Sequence, residues 1–274
     1  MIRGLGALSC DARRLIIEIF VIFNLAFLAV DVYVAHLANH FEHTTEWLPV
    51  AFSVFGPLVL LPGAIRRNLD RPWAYFGGFA VGFVAIVVGV AGLVFHLRSA
   101  FFATPSLKNL VYTAPFIAPL SYAGLGMLLI LNRLERSHAF EHALWVTILA
   151  LGGFLGNFGL SLADHAVNGF FRAQEWIPVV AAALASSLLF MVCVVSRDRV
   201  LIGTTAVVMV AEVAVGLLGS FFHLQTLPSD AWRHLDVVTH RAPPFAPMLF
   251  ADLAVLALIG LHGLAREPAD DSRL

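Results

Sequence analysis

Apolar residues run along this chain in long blocks, and polar residues gather in the short stretches between them. Eight blocks reach or approach the roughly 20 residues of a membrane-spanning helix: about 15–38, 48–65, 73–97, 110–132, 140–164, 176–196, 200–223 and 244–264. The pattern predicts an all-α integral membrane protein of about eight transmembrane helices, with little chain left over for a soluble domain. The first block follows Arg13 and Arg14, as the core of a signal peptide would. It is long for that role and is interrupted by Asn24 and Asp31, so it reads as the first span.

Two of the polar stretches match each other. Residues 36–50 read HLANHFEHTTEWLPV and residues 165–179 read HAVNGFFRAQEWIPV. Without a gap, His36 aligns with His165, Asn39 with Asn168, Phe41 with Phe170, Glu46 with Glu175 and Trp47 with Trp176. FHL recurs at 95–97 and 222–224, and APFIAPL at 114–120 is echoed by APPFAPM at 242–248. The offsets are 129, 127 and 128, a drift that small loop insertions explain. The chain therefore divides into two four-helix halves, 1–135 and 136–274, with a boundary in RLERSH at 133–138. Four spans is an even number, so the second half keeps the orientation of the first, as a parallel repeat about an axis along the membrane normal.

Charge sets the orientation. With the N-terminus inside, 12 of the 17 basic residues fall on the inner side and 5 on the outer, so both termini are expected in the cytoplasm of a bacterial-type inner membrane. Composition agrees with a lipid setting: 59% of the residues are hydrophobic, 13% are charged, and mean hydropathy is +0.85. The net charge of −1 gives no footprint for nucleic acid. Cys10 and Cys193 form no CxxC, which leaves no basis for a disulfide framework or thiolate metal site. The single lysine, Lys108, falls in a loop, so no Schiff base can form within the membrane. Walker, nucleophile-elbow, HExxH and dinucleotide-binding motifs are absent as well.

The candidate chemistry lies with the histidines. Eight of eleven fall on the expected outer side: His36, His40, His43, His96, His165, His223, His234 and His240. His36 and His165 end spans one and five, and His96 and His223 end spans three and seven. Two imidazoles at one level of a bundle can ligate a haem iron from both sides, or supply two ligands of a mononuclear metal. His36, His40 and His43 share one helical face if span one continues outward, with Glu46 near, which would make a richer site in the first half. Interfacial anchoring explains the same residues without a ligand. Asn39, Glu46, Asn168 and Glu175 are candidate cofactor-binding or imidazole-orienting residues. EWLP and EWIP also read as plain helix starts, with acid, interfacial tryptophan and proline in the first turn.

Inside the spans stand Asp31, Glu212 and Asp252. Glu212 lies about 11 residues, roughly 16 Å, before His223 and is the candidate catalytic proton relay. All three acids can also join helices as protonated hydrogen-bond donors. His138 and His142 form an HxxxH pair on the inner side with no counterpart in the first half, and read as an exposed helix start. Glycines cluster at Gly77, Gly78, Gly82 and Gly89 and at Gly152, Gly153, Gly156 and Gly159, where close helix packing is expected.

Two four-helix halves with one histidine pair each resemble haem A synthase in outline. The histidines here end odd-numbered spans, where that family's lie on even ones. The leading expectation is a membrane redox or metal protein with His-ligated haem b or a copper or iron centre near the outer face. A transporter of a metal ion, proton or small solute, using Glu212, Asp31 and Asp252, is the second reading. A non-catalytic subunit or assembly factor of a larger membrane complex is the third, and the partners expected besides the lipid bilayer are other membrane subunits or a second copy in a homodimer.

Overall fold

The computed structural model describes residues 10–37, 39–112, 115–134, 139–228 and 244–266. They contain helices and turns and no strand among the described residues. Eight longer helices make up the body: α1 (Cys10–Leu37), α2 (Trp47–Ile65), α3 (Pro72–His96), α4 (Leu120–Leu134), α5 (Ala139–Val167), α6 (Trp176–Phe190), α7 (Arg199–Leu224) and α8 (Met248–Arg266). Seven of these, with α6 extended by the π-turn Met191–Val195, are long and apolar enough to cross a membrane. α4 is apolar but has 15 residues, so it rises about 22 Å against a hydrocarbon core of about 30 Å.

That shortness corrects the expected span at 110–132. The segment divides into a short helix, Leu107–Tyr112, a run of turns from Pro115 to Pro119, and then α4. Pro115 and Pro119 supply no amide hydrogen, and an interior helix ladder cannot pass through them without losing bonds. Prolines at the start of a helix are tolerated, as Pro72 in the first turn of α3 shows.

The helices pack in the same order in each half: α1 on α2, α3 on α4, α5 on α6 and α7 on α8. The tightest approaches are made by glycine. A Cβ at Gly89 of α3 would lie 2.6 Å from the Ala123 amide, and one at Gly216 of α7 would lie 2.8 Å from the Ala251 amide. Gly92 and Gly219 face Pro119 and Pro247 one turn further on. In lipid, helices associate through such close backbone contact. The expected packing role of the α5 glycines is narrower. Gly153 is filled by Leu253, while Gly152 and Gly159 face open space.

Polar groups tie the end of the bundle away from the histidines. Glu18 and Arg133 form a two-pronged ion pair with exposures of 0% and 1%. Asn132 and Arg14 each donate to the other's backbone carbonyl, and Arg14 also reaches Asp70 at 2.9 Å. Gly78 makes room for this knot: a Cβ there would collide with the Arg133 guanidinium. His142 is 5% exposed, which corrects its reading as an exposed helix start. It sits on the α5 face that packs into the core beside Ala143 and Val146. His138, His234 and His240 lie outside the described residues.

Candidate functional site

α1 ends at Leu37, and the turn that stops it sets the first-half site. The His36 carbonyl accepts from the Asn39 and Phe41 amides, at 3.3 and 3.2 Å. His40 and Phe41 take left-handed backbone angles, with φ 57° and 53°. The helix does not continue outward, so the stripe expected from His36, His40 and His43 does not form. His40 and His43 are exposed in the turn. Among the described residues no group of three or more His, Cys, Asp or Glu side chains is placed to hold a metal ion.

The second copy of the passage folds the same way. Phe170 donates its amide to the His165 carbonyl at 3.2 Å, and Gly169 and Phe170 have φ 71° and 49°. A 3-10 turn follows in both copies, Thr44–Glu46 and Ala173–Glu175, with Glu46 or Glu175 immediately before the next helix and its side chain making no cap bond. Phe41 stacks on Trp47 at 4.0 Å and Phe170 on Trp176 at 3.9 Å. The copies differ in their asparagines. Asn39 donates to the Glu46 carboxylate at 3.2 Å, whereas Asn168 reaches back to the Asp164 carbonyl at 3.4 Å. In both glutamates the shielded Oε2 meets no hydrogen-bond partner among the described residues.

The structure brings the first histidine pair together. The rings of His36 and His96 are 6.4 Å apart between centroids, at an interplanar angle of 59°. Each is oriented by a backbone carbonyl: Val32 O lies 2.9 Å from His36 Nδ1, and Pro115 O lies 3.0 Å from His96 Nδ1. A carbonyl only accepts, so both Nδ1 atoms carry a proton, and in the neutral ring the lone pair is then on Nε2. This is the tautomer of a ligating imidazole, with its second nitrogen held by the protein.

His165 and His223, the second pair, line one cavity of about 280 Å³. Its walls come from α5, α6, α7 and the start of α8, with Leu110, Val111 and Pro115 from the first half. Pro115 therefore accepts from His96 of the first pair and also lines the cavity that holds the second. Four polar residues of α5 face this space: Asn157, Ser161, Asp164 and His165. Sequence reasoning missed the first three. The signal was their spacing of i, i+4, i+7 and i+8 along one helical face.

The intramembrane acids separate. Asp252 accepts from the Asn24 amide at 2.8 Å and so joins α8 to α1. Asp31 is half-buried near the histidine end of α1. Glu212 is 1% exposed, and its Oε2 meets no partner among the described residues. It lies deeper than the cavity wall on α7, which begins at Val215. Glu18, the acid in the buried ion pair, was also missed. Its signal was a charged residue inside the first apolar block, one turn after Arg14. Searches of protein-family profiles, curated proteins and solved structures find no match to this chain.

Proposed function

We propose that this chain is a membrane redox or metal protein whose centre is held by His36 and His96. The observation that carries the reading is the juxtaposition of two imidazoles, each anchored through Nδ1 by a backbone carbonyl. Two imidazoles are the whole protein ligand set of a bis-histidine haem b, and two of the ligands of a copper or iron ion. An ion shared by both rings would lie about 2 Å from each Nε2, and a centroid separation of 6.4 Å leaves room for that. Asn39 and Glu46 brace the turn behind His36. Glu212 would serve as a proton relay deeper in the bundle.

The finer architecture belongs to the same proposal. Two parallel four-helix repeats account for the matching turns, stacked rings and glycine contacts in the two halves. The basic-residue bias supports cytoplasmic termini in a bacterial-type inner membrane. Absorption spectroscopy and metal analysis of the purified protein test the centre. A Soret band, or stoichiometric copper or iron, is expected. His36→Ala and His96→Ala should each lose it, and the double variant should lose no more, because the two ligands act as one unit. Cofactor retained in both single variants, or losses that sum, would overturn the assignment.

A further inference from the structure

The second-half cavity has a composition of its own. Its walls are mostly apolar, and its polar groups come chiefly from one face of α5. At about 280 Å³ it approaches the size of small-molecule sites, which pair apolar walls with a few placed polar groups. Asn157 is 8% exposed, yet its Nδ2 meets no acceptor among the described residues, and the Ser161 hydroxyl has no partner either. A buried amide and hydroxyl left unpaired are costly, so a site that keeps them asks for a group that satisfies them. The first half shows the alternative. At the positions matching Asn157, Ser161 and Asp164 it carries Leu28, Val32 and Ala35, and Leu28 packs into the core.

We propose that this cavity binds a small lipid-soluble molecule of the quinone class: an apolar ring whose carbonyl oxygen accepts from Asn157 Nδ2 and Ser161 Oγ. The imidazoles of His165 and His223 line the same cavity. A charged solute does not suit walls this apolar, and a pure hydrocarbon would leave the amide unpaired. The inference does not rest on a metal at His36 and His96, since the cavity residues that carry it lie on α5.

The test uses the full chain in detergent, titrated with decylubiquinone and, separately, with n-decylbenzene, which has similar apolar bulk and no acceptor oxygen. A ligand that binds the folded state raises the unfolding temperature saturably. Decylubiquinone is expected to do so and n-decylbenzene not. The double variant N157L/S161V, which copies the first half, should weaken the apparent Kd for decylubiquinone at least tenfold. Ser161→Ala, which removes only a hydroxyl, should weaken it severalfold and serves if the double variant does not fold. Equal binding by the variants, an equal shift from n-decylbenzene, or no saturable shift would each overturn the proposal.

Discussion

Two glutamates buried to the same degree carry opposite expectations. Glu18 and Arg133 neutralise each other with both oxygens and both terminal nitrogens engaged. Glu18→Leu would strand the guanidinium beside Gly78, and removing one partner of a buried pair costs about 3–5 kcal/mol. A large fall in unfolding temperature in detergent is therefore expected, with partial recovery when Arg133→Met is added. Glu212 has no such tie, and its Oε2 is unpaired among the described residues. Glu212→Met removes an unsatisfied polar atom at similar length, so stability should hold within about 1 kcal/mol or rise. A drop as large as that of Glu18→Leu would show that Glu212 supports the fold through a contact of its own.

At the scale of elements, the turns after α1 and α5 show what could be read from the chain and what could not. HxxN…EWLP and HxxN…EWIP are legible as a helix end, a turn and a helix start, and that is how both fold. The histidine stripe was misread because His40 takes a left-handed backbone angle, which a histidine does not announce. The second copy did announce it: Gly169 stands at the matching position with φ 71°, where a residue without Cβ is preferred. Phe41 holds a strained angle for a bulky residue, and its stack on Trp47 helps to hold it there. Phe41→Ala should cost about 1 kcal/mol of stacking and raise amide exchange at Asn39 and Phe41, whose amides bind the His36 carbonyl. The start of α7 behaves differently. Asp198 caps it by accepting from the Val200 and Leu201 amides. Those bonds favour the carboxylate and hold its pKa below the usual value. The cap is thus complete above the ordinary carboxylate range and is lost as pH falls through the lowered value. The protection of the Val200 and Leu201 amides, taken relative to the intrinsic exchange rate at each pH, should fall on acidification, and in Asp198→Ala it should be low at every pH.

Across the whole molecule, long apolar blocks made the helical membrane architecture legible, because hydrophobic length is a local property. The cavity was not legible, since it arises where four helices and the Pro115 turn meet and where Asn157 and Ser161 stand in place of the first half's Leu28 and Val32. Orientation depends on a third property, the distribution of charge, and it yields a direct test. Arg14 and Arg133 lie in the knot at one end of the bundle, and Arg66, Arg67 and Arg71 cluster between α2 and α3. The turn that holds Thr44 lies at the other end, beside His36. The positive-inside rule predicts that the arginine end faces the cytoplasm. In a background with Cys10 and Cys193 changed to serine, cysteine at Thr44 and at Arg66 occupies an exposed site at each end. An impermeant maleimide applied to intact cells should label Thr44→Cys and leave Arg66→Cys unlabelled until the membrane is opened. The reverse pattern would place the histidine pairs on the cytoplasmic face. A redox centre there would meet cytoplasmic rather than external partners, so this labelling result decides which compartment supplies them.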